Sequence, residues 1–144
     1  MIYTPLTQKA IGIAYEAHHG QFDKVGVPYI HHPLHLAEQM PDELCCCVAL
    51  LHDVVEDSDI TLEQLSAMGI PDEALQVLQL LTHDPAEPYM QYVERIAANP
   101  TAKSVKLADL AHNSDTTRLT VIDERMQARL DKYHQAIAYL HNAK

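Results

Sequence analysis

From Leu44 to Val55 every position is apolar except two, and those two are the adjacent pair His52 and Asp53. Leu44, Val48, Leu51 and Val55 recur at spacings of four, three and four, the period of a helix. Ahead of them Pro41-Asp42-Glu43 is a start signal, with Asp42 as N-cap and acidic charge where the helix dipole favours it. The pattern predicts one strongly apolar helix running to about Glu56 and crossing the centre of the protein. An imidazole and a carboxylate buried there cost several kcal/mol unless something satisfies them, and a divalent metal ion satisfies both at once.

The same periodicity predicts helices elsewhere. Thr4 to Gln21 carries Leu6, Ala10, Ile13, Ala14 and Ala17 on one face and stops at Gly20. Gln21 to Tyr29 is a loop, and a short helix begins near His32 with Pro33 in its first turn. Further helices fit Thr61 to Met68, Pro71 to Leu81, Pro88 to Ala98, Thr101 to about Thr116, and Asp123 to Asn142. Thr61 with Gln64 forms a capping box, and Asp123 is an N-cap. No period-2 strand or hairpin signal is present, so the expected class is all-α: one bundle of about seven or eight helices, a single domain over residues 1–144.

Bulk properties narrow the function. The formal net charge is −10 with ten Lys and Arg in all, which argues against a nucleic-acid binder, because backbone affinity comes from clustered cations. No run approaches the ~20 apolar residues of a membrane span, and the first residues lack the pattern of a signal peptide, so no membrane partner and a cytoplasmic location are expected. Cys45, Cys46 and Cys47 are consecutive. Helix neighbours point ~100° apart, so these are core fillers and not a metal clamp. The oligomeric state is not legible.

A second polar cluster lies in Val105-Lys106-Leu107-Ala108-Asp109-Leu110-Ala111-His112-Asn113. Asp109, Asn113 and Thr116 fall at i, i+4 and i+7 on one predicted helix face, with Lys106 a turn before. His31-His32-Pro33 is a third piece. A set of His32, His52, Asp53 and Asp109 drawn from three separate helices leaves coordination positions open, as a catalytic metal requires. Glu56 and Asp57 sit four residues after His52 and Asp53, on the same side of a continuous helix and against its dipole. Only His83 lies between Asp53 and the Asp109 cluster, which favours one metal ion over two.

These motifs, together with Ala17-His18-His19-Gly20-Gln21 and Gly26-Val27-Pro28-Tyr29-Ile30, closely resemble the hydrolase domain of the RelA/SpoT alarmone enzymes and their small stand-alone relatives, members of the HD superfamily. The resemblance implies an HD-type helical fold and one metal ion per chain, typically manganese, on His32, His52, Asp53 and Asp109. It implies a hydrolytic role for Glu56 and Asp57 and substrate contacts for Lys24, Asn113 and Thr116. The implied reaction removes pyrophosphate from the 3′ position of guanosine tetra- or pentaphosphate, (p)ppGpp. Three departures each lack a basic residue: Asp23-Lys24 stands where an Arg-Lys pair is usual, Ser114-Asp115-Thr116 where Met-Arg-Thr is usual, and His83 follows Leu81-Thr82. A phosphomonoesterase or pyrophosphatase acting on another nucleotide therefore stays open, as does a metal-stabilised nucleotide-binding module without turnover.

Overall fold

The computed structural model describes residues 1–143. Among them are nine α-helical segments, α1 (Pro5–Ala17), α2 (His31–Ala37), α3 (Glu43–Leu51), α4 (Val54–Asp57), α5 (Leu62–Ala67), α6 (Asp72–Leu81), α7 (Tyr89–Ala97), α8 (Pro100–Asn113) and α9 (Glu124–Asn142), with a 3-10 turn at Thr116–Arg118. No strand is formed among the described residues beyond an isolated bridge between Phe22 and Pro28. Among the described residues no helix is long and apolar enough to cross a membrane.

α3 is the axis of the bundle. Cys45 through Leu51 are all buried, and α1, α2, α6 and α8 pack around it. A helix apolar on all sides needs neighbours on all sides, and α3 has them. The three cysteines fill this core as free thiols, and burial raises the pKa of each.

Start signals read correctly. Asp42 accepts the Cys45 N–H at 2.8 Å, and Thr61 and Gln64 close their capping box at 3.1 and 2.9 Å. Asp123 accepts from the Met126 N–H at 2.8 Å. Each side-chain oxygen answers an N–H that the first helical turn leaves unpaired.

Three helix ends differ from expectation, the first being α1, which stops at Ala17 and not near Gln21. The apolar helix does not run to Glu56: α3 stops at Leu51 and a new four-residue helix begins at Val54. The cause is local, because His52 Nδ1–H donates to the Ala49 carbonyl at 2.6 Å and Asp53 adopts φ −102°, ψ −2°, a conformation between helix and turn. Glu56 and Asp57 thus lie in the first turn of α4 and do not oppose the dipole of a long helix. α8 likewise ends at Asn113, so Thr116 opens a separate 3-10 turn and leaves the face of Asp109 and Asn113.

Candidate functional site

The break after His52 is what makes the centre. In an uninterrupted helix neighbouring side chains diverge by ~100°; here the turn swings Asp53 back until its Oδ2 lies 3.0 Å from His52 Nε2. α2 contributes His32 and α8 contributes Asp109. His32 Nε2 stands 2.9 Å from Asp109 Oδ1 and 3.8 Å from Asp53 Oδ2, and His52 Nε2 is 3.6 Å from Asp109 Oδ1. One donor atom from each of the four residues falls within 4.8 Å of all the others. Donors held about 2.1 Å from one ion sit roughly 3.0–3.4 Å apart at right or tetrahedral angles, so the spacing suits a shared divalent cation.

The tautomers agree with that use. A carbonyl only accepts, so His52 keeps a proton on Nδ1, and its Nε2, turned to the cluster, offers a lone pair once its own proton is gone. That Nε2 is buried and has no hydrogen-bond partner. For His32 to present its Nε2 lone pair, its Nδ1–H must donate to His112 Nδ1, 2.6 Å away. Burial first, and then the neighbouring His32 and Arg118, lower the His112 pKa to about 4, which keeps that ring neutral and able to accept. Replacing His112 by Phe is expected to weaken manganese binding about 10–100-fold, while His112→Asn, whose Oδ1 can stand in for Nδ1, retains most of it. Metal titration by calorimetry reads the difference.

Charge is tightly compensated around the cluster. Burial alone would depress His52, but the Asp53 and Asp109 carboxylates hold it well above the usual imidazole range. Burial likewise opposes ionisation of Asp109, yet the Lys106 ammonium at 2.9 Å and the neighbouring His32 and His52 rings keep it well below the usual carboxylate range. Asp53 is lowered to about 2, with burial again outweighed by His52. The Tyr29 hydroxyl donates to Asp53 Oδ2 at 2.5 Å, fixing that carboxylate from behind. Without an ion, the protonated His52 and the Lys106 ammonium supply the positive charge that a metal would bring.

Glu56 is solvent-facing at the edge of the centre, with Oε1 accepting the His83 backbone N–H at 2.6 Å. Asp57 is tied through its backbone, its N–H to the Asp53 carbonyl and its own carbonyl to Gln21 Nε2 at 2.7 Å. Burial of the carboxyl, then the charges of Asp53 and Glu56, push its pKa up to about 6. Asn113 Nδ2 donates to Asp109 Oδ1 at 3.1 Å.

A cleft with two lobes lies beside the cluster, and of the four donor residues Asp109 lines it. One lobe is lined by Lys24, Tyr29, Asn113, Arg118, Arg129 and Tyr133, among others, and continues past Arg125. The second is walled by Glu56, Tyr89, Lys106, Asp109, Asn113 and Lys132, among others. Asn113 and Tyr133 belong to both. Lys24 and Asn113 thus line the cleft, whereas Thr116 is exposed and outside the described lining of either lobe.

Sequence reasoning passed over Tyr29, His112 as a certain partner, and the whole contribution of α9. The spacing of Arg125, Arg129 and Tyr133, four residues apart each time, marks one helix face and could have exposed that contribution. The departure at Asp23 also has a structural use. Its Oδ1 accepts the Val25 and Val27 N–H groups, both at 2.9 Å, closing the loop, and its Oδ2 draws Arg118 to 3.3 Å. A cation from beyond Ser114-Asp115-Thr116 is brought to the cleft in this way.

No family model matches the chain. The guanosine-3′,5′-bis(diphosphate) 3′-pyrophosphohydrolase MESH1 of Danio rerio is 35% identical over 131 residues, 81% of this chain and 72% of that protein. The MESH1 of Mus musculus is 34% identical over 110 residues, 68% of this chain and 61% of that protein. The guanosine-3′,5′-bis(diphosphate) 3′-pyrophosphohydrolase of Haemophilus influenzae is 36% identical over 118 residues, 72% of this chain. The chain spans only 16 to 18% of the length of three long bacterial relatives, that one included. Among solved structures, a metazoan ortholog of SpoT described as hydrolysing ppGpp superposes with a TM-score of 0.79 at 22% identity, covering 100% of this chain and 90% of that one. The all-helical HD-type fold is therefore shared along the whole length.

Proposed function

The chain belongs to the guanosine-3′,5′-bis(diphosphate) 3′-pyrophosphohydrolase family, and on that footing we propose that it removes pyrophosphate from the 3′ position of (p)ppGpp. The observation that carries this reading is a four-donor metal centre beside a cationic cleft on an acidic protein. Lys24, Arg118, Arg125 and Arg129 in one lobe with Lys106 and Lys132 in the other make six of the ten Lys and Arg in the sequence. A protein of net charge −10 that gathers its few cations in one cleft is arranged for a highly anionic ligand.

In this reading His32, His52, Asp53 and Asp109 hold one divalent ion, manganese, which polarises a water and a phosphoryl oxygen when bound. The chain's own groups do the rest. Glu56, steadied by the His83 N–H, accepts the water's proton. The water oxygen bonds to the proximal phosphorus, and the bond from that phosphorus to the ribose 3′ oxygen breaks. Asp57, able to keep its proton to about pH 6, returns one to the departing oxygen. The products are the 3′-hydroxyl nucleotide and pyrophosphate, which carries the water's oxygen. Lys24 and Asn113 steady the substrate from the first lobe, whose lining does not include Thr116.

Incubation with guanosine tetraphosphate and manganese, scoring phosphate and pyrophosphate separately, tests this. One pyrophosphate and one GDP per substrate are expected, with none in the presence of a chelator. Asp23, an anion beside the first lobe, is the feature that favours hydrolysis of a different nucleotide, and phosphate release from such a compound with guanosine tetraphosphate untouched would overturn the proposal.

A further inference from the structure

The two lobes differ in chemistry. The first has an apolar wall, with Phe22, Val25, Leu119 and Met126 beside its cations, the surface that a heterocycle and its ribose require. The second, a cavity of about 230 Å³, has Leu110 as its only aliphatic wall. It sets the Lys106 and Lys132 ammonium groups among tyrosine rings, and it holds two polar groups to which the described residues offer no hydrogen bond or ion pair. The Tyr89 hydroxyl is buried without a hydrogen-bond partner. The Lys132 ammonium rests 4.4 Å from the centre of the Tyr89 ring and 5.9 Å from that of Tyr133, and no carboxylate pairs with it among the described residues.

Lys106 is already committed, its charge answered by Asp109 at 2.9 Å. Lys132 is not. An ammonium held over aromatic faces is retained by a weak attraction, and a change of its flexible stem is enough to hand it to an anion. The neighbouring buried hydroxyl needs an acceptor, because an unmet buried donor is costly. Both requirements are met by a compact oxyanion entering from the Asp109 side.

We propose that this second lobe seats the distal phosphate of the 3′-diphosphate and then the product pyrophosphate, with Lys132 and the Tyr89 hydroxyl as the groups that select a diphosphate over a monophosphate. The inference rests on the reading of the chain as a (p)ppGpp hydrolase. With the proximal phosphorus at the metal centre and the nucleoside in the apolar lobe, the distal phosphate projects away from the nucleoside, where the second lobe lies. A 3′-monophosphate leaves both donors unused.

The test is product inhibition of guanosine tetraphosphate hydrolysis. Lys132→Met is expected to raise the inhibition constant of pyrophosphate about tenfold, or about 1.4 kcal/mol, and to move that of GDP by less than about threefold. Lys24→Met, in the other lobe, gives the reverse pattern, and Tyr89→Phe, which keeps the ring, weakens pyrophosphate alone. Equal shifts for both products in Lys132→Met, or none, overturn the proposal. Should the wild type leave guanosine tetraphosphate intact, the substrate reading falls by itself. Equilibrium dialysis of pyrophosphate against the manganese-loaded wild type and Lys132→Met then still decides the seat: tighter retention by the wild type supports it, and equal retention overturns it.

Discussion

Replacing Asp53 by alanine is expected to lower manganese-dependent pyrophosphate release on the order of 10³-fold or more, the scale on which loss of one preorganised electrostatic group is felt. Asp53 Oδ2 meets both imidazoles and the Tyr29 hydroxyl, so its removal takes away one ligand and loosens the aim of the others. Metal content separates this from misfolding. In the wild type, manganese at 100 times its dissociation constant adds about 2.7 kcal/mol of stability, seen as a rise in Tm, and Asp53→Ala should lose both the rise and the one ion per chain. A variant that keeps stoichiometric manganese and turnover would refute the ligand assignment. The pH dependence has a definite sign. His52 is held above its ordinary value in the metal-free protein, so its contribution to stability is full below the unfolded value of about 6.5 and fades as pH rises through the folded value. Metal binding must expel that proton. The stabilisation gained from manganese should therefore grow as pH rises through the folded value of His52 and shrink as pH falls below it.

Much of this architecture is legible in the chain because caps and periodicity act locally. Asp42, Thr61 and Asp123 each satisfy an N–H three residues away, and an apolar run such as Cys45 to Leu51 has nowhere to go but the centre. His52 and Asp53 stand out for the same reason, as polar groups in an apolar run. What escapes the sequence is set by competition or by distance. Nothing in Leu50-Leu51-His52-Asp53-Val54 announces that the His52 ring will take the Ala49 carbonyl and end the helix, and a continuous helix fits the pattern equally well. The shared face of Thr116 with Asp109 and Asn113 is lost for the same cause, since periodicity does not show where α8 unwinds. Arg118 and Asp23 are 95 positions apart, so their pairing belongs to the packing of loops. Net charge is silent in a similar way. The sum of −10 says nothing of where ten cations stand, and the fold gathers most of them on the cleft.

Replacing Lys106 by methionine should produce the largest change in the stability of the metal-free protein and the smallest in the loaded one. Lys106 and Asp109 side chains are 14% and 9% exposed and 2.9 Å apart, and the ammonium also lies 5.2 Å from the centre of the Tyr92 ring. Methionine keeps the apolar stem against that ring and removes only the charge. Breaking one side of a buried ion pair costs about 3–5 kcal/mol, and Asp109 retains its two imidazole partners, so the lower end applies. At about 2–4 °C per kcal/mol for a chain of this size, Tm in chelator should fall by roughly 6–12 °C. A divalent cation on Asp109 replaces the lost charge, and the site is now one positive charge poorer, so manganese should bind more tightly than in the wild type and recover most of the deficit. Turnover moves the other way, because the cation beside the phosphate-bearing lobe is gone. If Lys106→Met in chelator melts with the wild type, the ion pair is not what steadies the empty centre. If manganese fails to narrow the gap, Asp109 is not a ligand.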